Sequence, residues 1–464
     1  MLAILEWVNS IIWGVPALAL ILGVGIFLSI KTKFLQIRLF PNALRHFFSQ
    51  FKRRKTNTEG ISPYRALCTA LGATVGTGNL AGVAGAIALG GPGVVFWMWV
   101  CGIVGMVTKF AEITLAMKYR VKNSNGEYIG GPMLMIRQGM EKKWHFLAYL
   151  YAFMGVVASF GVGNATQVNA VIGGIEEAAS AFGISLLSKE RFLLASGISV
   201  LILTVLLGGA KRIGKTAEGI IPFVAAGYIL FAVFVLVVRY KMIPEAFAAI
   251  VRGAFTPGAV TGGMIASAFT AMRVGAARGV FTNEAGMGTA SIAHASAEVD
   301  NRIHQGFMGI IEVFIDTIVI CTLTALVILC SGVSVPYGTD VGISLTSQAF
   351  SVVCGKWINI PIAFALSAFA LATILGWSLY GLRCAQFLFG DGIWKRFVIL
   401  QGLSVLVGAM LKTSTVWILA EIVNGLMAIP NLIALFALTP ELLLFLEEYE
   451  NSGTEVRSRS LSIK

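Results

Sequence analysis

Charge is what this sequence has least of. Asp, Glu, Lys and Arg make up 12% of its 464 residues, about half the share found in a soluble domain. So few charges cannot cover a water-facing surface. Hydrophobic residues fill 57% of the chain, at a mean hydropathy of +0.82. Histidine occurs only at positions 46, 145, 294 and 304, in or next to expected loops, and there is no HExxH, which leaves little to run metal-assisted hydrolysis. The six cysteines lack CxxC spacing and sit mostly in or beside apolar runs, so buried reduced thiols are expected and a disulfide framework is not. No Lys or Arg precedes the first apolar run and no small-residue cleavage site follows it, so that run reads as a retained helix rather than a signal peptide. A basic folded face of the kind nucleic acid needs is missing as well.

What the chain has in abundance is uninterrupted hydrophobicity. A spanning helix needs about 20 mainly apolar residues. Such runs stand at roughly 11–30, 66–89, 93–117, 146–175, 192–209, 216–238, 259–282, 306–331, 357–382, 396–411 and 414–438. They are continuous rather than alternating, which argues against a β-barrel. An all-α polytopic membrane protein of about eleven helices is expected. Lys31, Lys33, Arg38, Arg45, Lys52, Arg53, Arg54, Lys55 and Arg65 crowd the loop between the first two runs and place it in the cytoplasm. Alternation from there puts 25 of the 35 Lys and Arg on inner segments and seven on outer ones. The N-terminus is then outside and the C-terminus inside a plasma membrane, here a bacterial inner membrane. The net charge of +12 becomes a topology signal with some attraction to anionic lipid.

Glycine is plentiful too, and one apolar stretch concentrates it: ALGATVGTGNLAGVAGAIALGGPG, from Ala70 to Gly93. Each glycine in a helix interior costs about 1 kcal/mol relative to alanine. Two readings fit. Gly72 with Gly76, and Gly82 with Ala86, have the small-xxx-small spacing of close helix packing. Asn79 instead suits an interrupted helix, because irregular backbone at this depth survives only against protein or a water-filled cavity. Three further runs carry polar groups. SFGVGNATQVNA holds Asn164, Gln167 and Asn169; SAFTAMRVGAARGVFTNEAGMG holds Arg273 and Arg278; ALATILGWSLYG holds Thr373, Trp377, Ser378 and Tyr380.

Polar groups in four non-adjacent spans suggest one interior site, which is a transporter's arrangement. Runs two to six and seven to eleven form two blocks of five, and an odd number inverts the second. Interruptions at the start of each block point to a midplane site. Arg273 and Arg278 are expected in the cytoplasmic half, paired with carboxylates such as Glu284 or with helix ends. Lys109 and Glu112, three apart, read as a structural ion pair. Glu312 and Asp316 lie one turn apart, too thin a constellation for a membrane-embedded enzyme, and no continuous polar lining marks a channel. GGPM at 130–133 reads as an inner-loop turn or re-entrant element without a substrate contact.

The stretches GATVGTGNLAGVAGAIALGGPGVVFWMW, GMVTKFAEITLAMKYR, GEYIGGPMLMI, GVGNATQVN, ARGVFTNEAGMGTASIAHA and TILGWSLYG run in order from about residue 70 to 380. Together they make the chain similar to the alanine/glycine:cation symporters, sodium-coupled carriers of the amino acid–polyamine–organocation superfamily. The resemblance implies a leucine-transporter-like five-plus-five inverted repeat with one extra N-terminal helix. Residues 1–60 would form that helix and a basic loop, 61–258 the first repeat, 259–440 the second, and 441–464 a cytoplasmic tail.

It also implies an unwound segment at Val75, Gly76, Thr77, Gly78 and Asn79, with the N–H groups of Thr77 and Gly78 on the substrate carboxylate. Free amides at a half-helix N-terminus suit an anion. Asn79 and Gln167 would contact the substrate's polar groups, Trp377 would limit its size, and Met272 would line the pocket. Sodium, the coupling ion, would sit among carbonyls at Gly72, Val75 and Phe369 and the hydroxyl of Thr373, a cage of neutral oxygens suited to a hard cation. Ala372 stands where a second hydroxyl is expected and Leu382 where relatives tend to carry glutamate, so a proton is the alternative coupling ion. The implied partners are alanine or glycine and the lipid bilayer, with a monomer as the working unit and no catalytic residue.

Overall fold

The computed structural model describes residues 2–53, 61–124, 126–256, 258–260, 264–266, 268–299, 301–339, 341–410 and 413–461. Arg54, Lys55 and Lys412, used above for topology, lie outside the described residues. The described chain is helical almost throughout. Its strands are two short antiparallel hairpins, Val121–Lys122 with Tyr128–Ile129 and Gly258–Val260 with Met264–Ala266.

Among the described residues, six helices are long and apolar enough to cross a membrane: Val94–Lys118, Lys142–Ser180, Gly209–Val238, Arg302–Ser331, Lys356–Phe389 and Asp391–Met410. Two bent pairs raise the number to eight: Pro63–Thr74 with Gly78–Gly90, and Glu421–Ala437 with Thr439–Ser452. Three of the eleven expected runs fall short of that measure, each for its own reason. Val15–Lys31 has only 17 residues. Ser188–Leu206 opens on Lys189, Glu190 and Arg191. The run expected at 259–282 begins in the second hairpin; its helix starts at Ala268, ends at Asn283 and resumes as Thr289–Ala295. Over the expected tail the chain continues as the helix Thr439–Leu461, bent away from the last span by 57°.

Lipid, not water, is the solvent for the flanks. Phe223, Leu230 and Val237 on Gly209–Val238 are 75%, 70% and 64% exposed, which is stable only where hydrocarbon surrounds them. Small residues draw the central helices together. A Cβ placed on Gly376 would stand 2.8 Å from Ala73 Cβ, and one on Gly72 would stand 3.2 Å from Ala372 Cβ. Pro63–Thr74 thereby packs backbone-close on Lys356–Phe389. The packing reading thus holds for Gly72, and the interrupted-helix reading holds three residues further on.

Candidate functional site

The first broken helix stops at Thr74, where Val75 turns to extended backbone (φ −75°, ψ 101°), and restarts at Gly78 with a 48° bend. The second stops at Asn283 and restarts at Thr289, crossing the gap with positive φ at Glu284 (55°), Gly286 (94°) and Gly288 (75°). The two gaps adjoin, for a Cβ on Gly78 would lie 3.2 Å from Thr282 Oγ1. Between them is a small cavity of about 20 Å³, room for about one water molecule, lined by Ala73, Thr74, Gly76, Thr77, Gly78, Val162, Gln167, Phe281, Thr282, Glu284, Thr373 and Trp377. The N-terminus of the restarted half-helix presents amides without intrahelical partners at this wall.

Most of the expected substrate residues meet here. Thr77, Gly78, Gln167 and Trp377 all line the cavity. Gln167 is 4% exposed, and its Oε1 has no hydrogen-bond partner. Trp377 is fully buried, and Gly163 gives its Cβ room where any side chain would collide. Asn79 does not line the cavity. Its Oδ1 accepts from Gly76 N (2.9 Å) and its Nδ2 donates to Asp316 Oδ1 (2.7 Å), so it repairs the break from behind. Met272 is not in the lining either; Phe281 and Thr282 take that wall, since the helix reaches the cavity only in its last turn.

Of the expected sodium ligands, three are brought together. Thr373 Oγ1 donates to Gly72 O (2.9 Å) and to Phe369 O (3.0 Å), and a Cβ on Gly76 would lie 2.8 Å from that hydroxyl. Val75 is buried at the C-cap of the same half-helix. Ala372, against Gly72, supplies no oxygen from its side chain. The donor set is neutral oxygen and fits a hard monovalent cation.

Several ions differ from the expected pairing. Arg278 meets Glu421 at 3.3 Å, not Glu284, and lies on the side of the break that carries Trp13 and Leu89. Arg273 lines the same second cavity. Lys109 pairs with Glu312 at 3.2 Å rather than with Glu112. Glu112 instead accepts from Gly286 N (2.8 Å), Gly288 N (3.0 Å) and Asn431 Nδ2 (2.7 Å), holding the second gap in shape. Glu312 and Asp316 are no acidic pair; Glu312 also meets the fully buried His294, while Asp316 faces Asn79 and Thr317. Asn164 and Asn169 are clamps onto Asp391–Met410, through Ser404 (2.6 Å) and Gly408 O (2.6 Å). GGPM opens the buried helix Pro132–Gly139, which packs against Gly288 so closely that any side chain there would strike Pro132.

A cavity with polar groups in its lining, between two broken helices in an apolar bundle, is the arrangement found at the midplane sites of carriers. The sodium:alanine symporter family matches residues 1–462 of the chain. The chain belongs to that family. Among its relatives is the sodium/alanine symporter AgcS of Methanococcus maripaludis, 42% identical over 445 residues, 94% of each chain. The probable sodium/glutamine symporter GlnT of Bacillus subtilis is 36% identical over 446 residues, 95% of this chain and 89% of that one. Among solved structures, MhsT in complex with L-phenylalanine superposes with a TM-score of 0.57 at 14% identity, covering 80% of this chain and 89% of that one. The fold is that of the leucine transporter. As a member of the sodium:alanine symporter family the protein is an amino-acid:cation symporter of the membrane and not an enzyme.

In this symporter a second cavity, lined by Asn9, Trp13, Leu89, Arg273, Ala277, Arg278 and Glu421 among others, shares Phe281 with the first. Phe281 thus borders both cavities. Reading the sequence missed Phe281, Thr282 and Glu284 as lining. The signal was present in TNEAGMG, where a charged residue precedes two glycines inside an apolar run.

Proposed function

We propose that the protein imports small neutral amino acids, alanine and glycine, together with sodium by alternating access. One observation carries this reading: a confined cavity where free half-helix amides, Gln167 and Trp377 converge, with the Gly72, Phe369 and Thr373 oxygens beside it. Thr77 and Gly78 hold the carboxylate, Trp377 limits the side chain, and sodium bound at Thr373 ties the first broken helix to Lys356–Phe389. The repeats 61–258 and 259–440 rock about this site, with the N-terminus outside, the C-terminus in the cytoplasm and one chain sufficient. Counterflow of radiolabelled alanine in proteoliposomes, with sodium replaced by choline, tests it. Saturable, sodium-dependent exchange is expected; exchange indifferent to sodium refutes the coupling, and no exchange refutes the substrate. Ala372 favours the second reading, a proton as coupling ion, which a pH gradient driving uptake in choline would reveal.

A further inference from the structure

The substrate cavity has an ionisable side chain of its own. Glu284 lines it, 3% exposed, at the first residue of the second gap. Its φ of 55° is a conformation disfavoured for any residue with a Cβ, so surrounding contacts hold it there. The carboxylate receives two neutral donors, Trp377 Nε1 on Oε1 (3.0 Å) and Thr289 Oγ1 on Oε2 (2.6 Å). Among the described residues no cation is in ion-pair contact with it, and Lys109, which attracts it from further off, makes its own contact pair elsewhere. Lys109 and His294 are committed to Glu312, and Arg278 to Glu421. A buried carboxylate without a positive partner is costly, and one that faces a cavity can be met by charge that enters.

A separate observation points to the same kind of visitor. Gln167 Oε1, in the same cavity, is a buried acceptor with no donor. The lining therefore offers acceptors at Glu284 and Gln167 and donors at the restarted half-helix. An α-amino acid zwitterion is the complement: its carboxylate takes amides, and its ammonium brings three donors and a positive charge. We propose that Glu284 recognises the α-ammonium of the transported amino acid, with Gln167 Oε1 as a second acceptor. This rests on the amino-acid reading above and adds a rule of selection. Carboxylates that lack an ammonium are refused, because they would set two negative charges in one dry cavity.

The test uses the full chain in proteoliposomes, radiolabelled L-alanine, and L-lactate as competitor, in which a hydroxyl replaces the ammonium. Wild type should ignore lactate. Glu284→Gln should raise the half-saturating alanine concentration roughly 10- to 100-fold and let lactate compete, with the sodium requirement at saturating alanine unchanged. Glu284→Asp should keep refusing lactate and bind alanine more weakly. If Glu284→Gln does not fold, the aspartate variant decides alone, and wild-type alanine affinity there overturns the proposal. Two other outcomes also overturn it: unaltered alanine affinity with lactate still refused, or a shifted sodium requirement with the competition pattern intact, which makes the carboxylate an ion ligand. A wild type that takes up no alanine refutes the amino-acid reading instead.

Discussion

Asn79 and Gln167 are both buried amides, and the structure gives them different work. Asn79 caps Gly76 N and engages Asp316 without touching the cavity, whereas Gln167 spends its Nε2 on a 3.3 Å contact to Val162 O and leaves Oε1 toward the cavity. Leucine at either position should abolish alanine uptake, but for separable reasons. Asn79→Leu leaves Gly76 N and Asp316 Oδ1 without their side-chain partner, at about 1–3 kcal/mol each, and should lower the melting temperature in detergent. Gln167→Leu should melt near the wild-type temperature. Equal melting temperatures would return both residues to one role. Trp377 belongs at this scale too: Trp377→Ala should admit leucine as an inhibitor of alanine uptake, since pockets exclude larger ligands by steric contact. Leucine equally inert in wild type and variant would remove Trp377 from the wall.

Between elements, a chain of hydrogen bonds joins the two gaps. Asn79 Nδ2 donates to Asp316 Oδ1 (2.7 Å), Thr317 Oγ1 to Asp316 Oδ2 (2.8 Å), and Asn283 Nδ2 to Thr317 Oγ1 (3.2 Å). The link lies on Phe314–Cys321, a widened helical stretch inside Arg302–Ser331. Asp316→Ala should therefore loosen both broken helices together, reducing thermal stability and uptake; a variant that transports normally would show the link to be idle. Gly376→Val should separate Pro63–Thr74 from Lys356–Phe389, at about 1–3 kcal/mol, read as a lower melting temperature. Hydropathy alone exposed most of the spans, because burial in lipid is written in composition. Which face each polar group turns to is not. Lys109 and Glu112 share a helix face, yet Lys109 turns to Glu312 and Glu112 to the second gap, a choice made by helices far away in sequence. The seventh expected run began too early for a related reason: hairpin residues before Ala268 are as apolar as the helix that follows.

For the whole molecule, orientation is the first thing to measure. Arg45→Cys should be reached by membrane-impermeant maleimide only after permeabilisation, and Pro336→Cys in intact cells; labelling of both from one side would sink the proposed topology. The background is favourable, because five of the six native cysteines are buried and only Cys354 is partly exposed. The position of Phe281 at the border of both cavities has a consequence in time rather than in space. A ring can turn far faster than two repeats can rock, since side-chain rotation takes pico- to nanoseconds when unhindered and collective helix motion takes micro- to milliseconds. Phe281 is therefore expected to set how long a bound solute stays rather than how quickly the carrier turns over. Phe281→Ala should shorten the residence of labelled alanine in a washout measurement while leaving maximal uptake velocity near that of wild type.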